Sequence, residues 1–205
     1  SPFTLFVTSS TLDTNTSYVD LAGPKVTTAG AIDILPIQTG DIYGNKMVGG
    51  GYLTLKNVSW SVYSGCNHSW NSVFCHSKGG GLVQVDDTNN GKYAVSYRAT
   101  ASGWYQISVK IWGGEIFRSP KNITVVPTPV NALHTFAKCP VNGSVGCGLY
   151  VTTAGNLANF VIHSVDDFGN SISTGGDGFR AIIRSSTYFE GDVADLGNGR
   201  YNVTY

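Results

Sequence analysis

Charge is scarce in this chain. Only 13% of its 205 residues are charged, and Lys+Arg balances Asp+Glu at 13 each; an ordinary soluble domain carries roughly 25%. No Lys/Arg cluster or basic stripe interrupts the sequence, so the electrostatic footprint of a nucleic-acid binder is missing and nucleic acid is excluded as a partner. Long apolar runs are missing as well. Nothing approaches the roughly 18 residues that read as a membrane-spanning helix, and the opening SPFTLFVTSS has no basic n-region of a signal peptide. This stretch of chain does not insert in a membrane, and an anchoring helix is expected outside it.

The signatures of catalysis are also absent. The sequence contains no G-x-S-x-G, no H-E-x-x-H and no Gly-rich phosphate loop. GGG at 49–51 and 79–81 lacks the following Lys-Ser/Thr and reads as flexible hairpin ends. Of the four histidines, His163 lies in the alternating run NFVIHSVDD and reads as a strand-face residue, while His68 and His76 flank cysteines and His134 has no motif around it. The neighbouring acids Asp86 and Asp87, like Asp166 and Asp167, point to opposite faces of a strand and cannot share one glycosidic bond. No catalytic residue, metal site or cofactor is assigned, and the chain is read as non-enzymatic.

What is abundant is Gly, Ser, Thr, Asn, Val and Tyr, an all-β, loop-rich composition. Tyr93, Val95 and Tyr97 alternate with Ala94 and Ser96, and Tyr105, Ile107, Val109 and Ile111 alternate with Gln106, Ser108 and Lys110, which predicts half-buried strands. Asn90-Gly91 and Asn198-Gly199 supply the turn residues before such strands; as a calcium loop, Asp87-x-x-Asn90-Gly91 lacks the alternating oxygen ligands and terminal Glu.

Four cysteines fall in two close pairs, Cys66/Cys75 and Cys139/Cys147. An even count at hairpin spacing reads as two local disulfides, each closing a short loop worth roughly 2.5 kcal/mol on the chain-entropy model. Metal binding is the rival reading, but neither pair has C-x₂₋₄-C spacing and only His68 and His76 stand by as further ligands. Six N-x-[ST] sequons, at Asn15, Asn57, Asn67, Asn122, Asn142 and Asn202, point with the cysteines to a secreted or cell-surface glycoprotein.

An internal repeat sets the domain organisation. VTTAG at 26–30 recurs at 151–155, and the same offset of 125 aligns DIYGN at 41–45 with DDFGN at 166–170. Further on, DTNNGKYAVSY at 87–97 aligns with DLGNGRYNVTY at 195–205 at an offset of 108, so the first copy carries 17 extra residues between the blocks. Cys66 and Cys75 lie in that extra stretch. SPFTLFV at 1–7 recurs as SPKNITV at 119–125, and from there to VTTAG the second copy is longer by seven, a stretch that holds Cys139 and Cys147. Each cysteine pair thus staples a private insertion.

D-x-[YF]-G-N, then D-x-x-N-G-[KR]-Y-x-V-[ST]-Y, then SGWYQISVKIWGGEIFRSP resembles the filamin-type immunoglobulin-like repeat. The resemblance implies tandem all-β, seven-stranded sandwiches, with GKYAVSY near strand E, WYQISVKIW near F and SPKNITV near G. Residues 1–10 are then a lead-in or the closing strand of a preceding repeat, 11–126 one repeat with a stapled insertion, and 127–205 a second, incomplete repeat. Pro127-Thr128-Pro129 reads as a stiff linker. The second repeat stops at its strand E and is expected to lack F and G, which implies that the chain is a fragment.

Sequons and paired cysteines set the chain apart from the cytoplasmic actin cross-linkers of that family. Among extracellular members it is similar to the sperm-expressed gamete adhesion proteins of plants and green algae. That similarity implies attachment to a protein on an opposing cell surface. The stretch NVSWSVYSGCNHSWNSVFCHSKGGG places Trp60, Tyr63, Trp70 and Phe74 in an insertion. They are candidate anchors for a partner, or else fill a satellite core beneath the loop. A structural spacer and a carbohydrate-binding accessory module of a secreted protein are the alternatives in function.

Overall fold

Period-two alternation builds the strands of both repeats, and what stacks on them differs between the two. The structure, a computed structural model, describes residues 3–4, 7–64, 79–140, 147–150, 152–184 and 188–205. The chain divides into Ser1–Val126 and Pro127–Tyr205.

The first unit contains β1 (Leu12–Val19), β2 (Lys25–Thr28), β3 (Ile32–Asp41), β4 (Val58–Ser64), β5 (Gly80–Asp87), β6 (Lys92–Ala99), β7 (Gly103–Ile111), β8 (Gly114–Glu115) and β9 (Lys121–Val126). One sheet runs β1-β3-β6-β5 and the other β2-β9-β7-β4, with β8 hairpinned on β7. This is the strand order of an immunoglobulin-type sandwich. Leu35, Ile37, Tyr93, Val95 and Tyr97 face Tyr105, Ile107, Val109, Ile111, Ile123 and Val125 across the interior, and all of them are buried. GKYAVSY, WYQISVKIW and SPKNITV provide β6, β7 and β9, the expected E, F and G positions. The fold class is therefore all-β and immunoglobulin-like.

The second unit contains β10 (Phe136–Lys138), β11 (Asn159–His163), β12 (Ala181–Arg184), β13 (Tyr188–Asp195) and β14 (Arg200–Thr204), in one sheet ordered β10-β11-β14-β13-β12. Its inner residues correspond to those of the first unit: Phe160 and Ile162 to Leu35 and Ile37, and Tyr201, Val203 and Tyr205 to Tyr93, Val95 and Tyr97. Tyr201 and Val203 are buried, but Phe160, Ile162 and Tyr205 are only half-buried. Together with Phe179, Ile183 and Leu149 they line a groove of about 540 Å³. In the first unit β7 and β9 lie over the equivalent residues. The VTTAG blocks show the same dependence. In the first, Val26, Thr27 and Thr28 belong to β2, which pairs in parallel with β9; in the second, Thr152 and Thr153 are not in a strand.

Each repeat is anchored by one buried aspartate. The Asp41 carboxylate accepts hydrogen bonds from the backbone N–H of Ser10 (2.8 Å), Tyr43 (3.0 Å) and Asn45 (2.8 Å) and from Asn45 Nδ2 (3.1 Å). Asp166 repeats the pattern with the N–H of Thr128 (3.0 Å), Phe168 (2.8 Å) and Asn170 (2.8 Å) and with Asn170 Nδ2 (2.8 Å). Thr128 is thereby part of the second unit, which corrects the reading of 127–129 as linker: its N–H is committed to the repeat that follows it. The second shared contact lies at Gly91 and Gly199, both at positive φ. A Cβ on Gly91 would sit 2.2 Å from the Met47 carbonyl oxygen, and one on Gly199 2.0 Å from that of Ile172. Only glycine fits either turn.

The Ser10 N–H, followed by the Asn45 side chain and the Asn45 and Tyr43 N–H groups, holds the Asp41 carboxyl at about 2 against the opposing effect of burial. A folded-state value below the unfolded one, near 3.9, gives stability that is complete above about pH 4 and lost as pH falls towards 2. Asp41→Asn is expected to lower the urea midpoint at pH 7, with the difference from the parent shrinking between pH 4 and pH 2. Cys139 and Cys147 are joined in a disulfide with Cα atoms 5.4 Å apart. Replacing both with Ala is expected to cost roughly 2.5 kcal/mol, read from hydrogen exchange in β11 and β14.

Candidate interaction surface

Sheet edges are the positions where a sandwich still has backbone donors and acceptors to offer. In the first unit β4 closes one sheet and β5 the other, and the chain passes from β4 to β5 through residues 65–78. Both strands carry a register shift near that connection, β4 between Val62 and Ser64 and β5 between Leu82 and Gln84. A bulge twists an edge and re-aims its side chains, and Val83, the extra residue of β5, is 47% exposed. At the far end of β5 the Asp87 carboxylate accepts the N–H of Gly51 at 2.5 Å and of Asn89 at 2.8 Å, which fastens that edge to its turn. Asp195 does the same for Gly176 and Gly197, at 2.7 Å each.

The aromatic candidates separate into two groups. Trp60 and Tyr63 lie in β4, a strand of the sandwich itself, which corrects their placement in an insertion: Val58 to Ser64 pairs with β7, with the register shift at Tyr63. The Trp60 ring packs 4.8 Å from that of Tyr105 and 5.7 Å from that of Tyr97, against the core cluster. It is half-buried at the margin of the core. The side chain of Tyr63, and all of Cys66, Asn67, His68, Trp70, Phe74, Cys75 and His76, lie outside the described residues, as does Asn142. Of the remaining sequons, Asn15 and Asn122 are exposed and Asn57 and Asn202 half-exposed. Asn57 Oδ1 accepts from Thr54 N at 2.9 Å and Thr54 Oγ1 at 3.1 Å.

Several titratable groups are engaged by neighbours within the fold. His163 stacks on Phe136 with ring centroids 5.2 Å apart; burial, with Arg200 and Lys138 nearby, pushes its pKa down. His134 Nδ1 lies 2.9 Å from the Asp166 carbonyl oxygen. Asp86 accepts from Gln84 Nε2 at 2.7 Å, on the other side of β5 from the Asp87 contacts. Among the described residues no three His, Cys, Asp or Glu side chains gather as a metal site, and no helix is long and apolar enough to cross a membrane.

Alternation located the buried strand faces, but it could not foresee the exposed Trp104, Trp112 and Phe117, since each lies in or beside a strand whose pattern reports only the inward side. Trp104 sits at an outward position of β7, and Trp112 follows β7 at φ 49°.

Among solved structures, the chain is similar to the Escherichia coli adhesin FdeC, with a TM-score of 0.57 and 16% identity over 97% of this chain and 57% of that one. It is similar also to invasin, a bacterial integrin-binding protein, with a TM-score of 0.54 and 16% identity over 97% of this chain and 35% of that one. The chain thus spans little more than half the length of the first and about a third of the second. At this identity the likeness is one of fold. The Filamin/ABP280 repeat matches residues 13–122, from β1 into β9 and over more than half of the chain. The strand order, the repeated aspartate clamp and this match lead to one conclusion: the chain belongs to the filamin repeat family.

Proposed function

We propose that the chain is a non-catalytic recognition segment of an extracellular adhesion protein, anchored in a membrane by a helix elsewhere in that protein. Its partner is a protein on an opposing cell surface, and the process is cell–cell attachment of the kind gametes make before fusion. The observation that carries this reading is the pair of bulged edge strands β4 and β5, which flank in sequence the stretch holding Trp70 and Phe74. Strand edges give main-chain affinity and nearby aromatic anchors give specificity. The Cys139–Cys147 disulfide favours an oxidising compartment, and the six sequons agree with it. Adhesins are among the proteins that share the fold, which supports the reading without naming a partner. The first unit is one repeat, and the second is a repeat of the same kind whose F and G positions are not supplied within 127–205.

Deleting both repeats from the cell-surface protein is expected to abolish attachment, scored as cells bound per opposing cell; undiminished attachment would rule the proposal out. Replacing Trp70 and Phe74 with Ser separates recognition from a spacer role. A recognition surface loses attachment about tenfold or more with the unfolding midpoint unchanged, whereas a spacer tolerates the change. Val83→Lys on the β5 edge is expected to weaken partner binding while altering stability by less than about 0.5 kcal/mol, as an exposed substitution does.

A further inference from the structure

The outward face of the sheet β2-β9-β7-β4 carries an apolar island on a polar field. Trp104 is 62% exposed and Val26 61% exposed. Both flank one residue of β9: Thr124 pairs with Trp104 on one side and with Val26 on the other. One step along the same face, Asn122 pairs with Gln106. Ile123 points into the core, so Asn122 and Thr124 both project outward with Trp104 and Gln106. Asn122, Ile123 and Thr124 form a sequon.

Three features give this sequon a character of its own. Gln106 Nε2 donates to Asn122 Oδ1 at 3.0 Å, which orients the amide by its oxygen and leaves Nδ2, the atom that a glycan takes, outside that bond. Asn122 and Trp104 are diagonal neighbours on adjacent strands, a spacing of about 7–8 Å that long and aromatic groups bridge. The indole also presents a flat apolar surface of the kind that accepts the C–H face of a pyranose ring. The island has a cost if left bare. The chain has a formal net charge of zero, so little electrostatic repulsion keeps exposed apolar patches of different copies apart.

We propose that Asn122 carries an N-linked glycan whose first sugars lie across Trp104 and Val26. The glycan covers the island, holds the outward face of this sheet in solution and removes it from protein recognition, so that partner contacts fall to the β4 and β5 edges. This inference deepens the proposed function and rests on its secretory reading.

The test uses the full chain secreted from cultured eukaryotic cells. Glycopeptide mass spectrometry gives the occupancy of each sequon, and hydroxyl-radical footprinting gives the reactivity of individual tryptophans. Expected are occupancy at Asn122 and a several-fold lower reactivity of Trp104 than in the enzymatically deglycosylated protein. Trp112, 73% exposed and outside the sheet face, serves as the unchanged reference. Asn122→Gln should restore Trp104 reactivity, and Thr124→Ala, which removes the sequon but keeps Asn122 and its Gln106 partner, should do the same if the first variant folds poorly. An unmodified Asn122 beside other occupied sequons overturns this inference alone, as does an occupied Asn122 with Trp104 reactivity unchanged, the result expected of a bare protein-docking tryptophan. No sugar at any sequon overturns both it and the secretory reading.

Discussion

Each repeat depends on a carboxylate withdrawn from water. Asp41 and Asp166 are both fully buried, and each gathers three backbone N–H groups and an Asn side chain. A buried charge is tolerated only when its lone pairs are satisfied, so the turn after each aspartate and the lead-in segment that supplies the Ser10 or Thr128 N–H must be in place together. Sequence variation around the clamp is then free so long as the donors are backbone groups. The flanking residues differ between copies, Ile42 and Tyr43 against Asp167 and Phe168, while Asp, Gly and Asn hold their positions.

Much of the fold was legible because the clamp and the strand faces recur. The offsets of 125 and 108 locate structurally equivalent residues across the two units: Tyr93 and Tyr201 each take a backbone N–H with their hydroxyl, from Tyr52 at 3.0 Å and from Asp177 at 2.9 Å. Parity alone placed Tyr97, Ile107 and Val109 inside. What could not be read was the allegiance of residues at the joins. Thr128 looks like linker in sequence and is tied to Asp166 by an N–H that any residue but proline would supply. Trp60 looks like part of an insertion because it lies between blocks where the first copy is longer by 17 residues; its environment is built by Tyr97 and Tyr105, distant in sequence. The surface was hardest of all, since outward positions obey no period beyond being polar on average, and Trp104 breaks that average.

The comparison of the units also shows how far a strand is a property of its neighbours. The same three residues, Val-Thr-Thr, belong to a strand beside β9, while Thr152 and Thr153 stand outside the sheet. Val and Thr have intrinsic β preference, but in an edge position that preference is small beside the ladder of hydrogen bonds a partner provides. A similar dependence governs side chains: Leu35 and Ile37 are fully enclosed under β7 and β9, while Phe160 and Ile162 line an open groove. Strand addition draws on the same physics, with the added strand coming from another molecule.

The parallel pairing of β2 with β9 has a mechanical meaning. Lys25 to Thr28 lies alongside Ile123 to Val126, so tension transmitted between the early chain and Val126 pulls the two strands past each other along their length. Bonds loaded in this shearing geometry resist together, whereas a hairpin pulled open at its end parts one bond at a time. Any load carried along the chain through the first repeat meets that short parallel ladder.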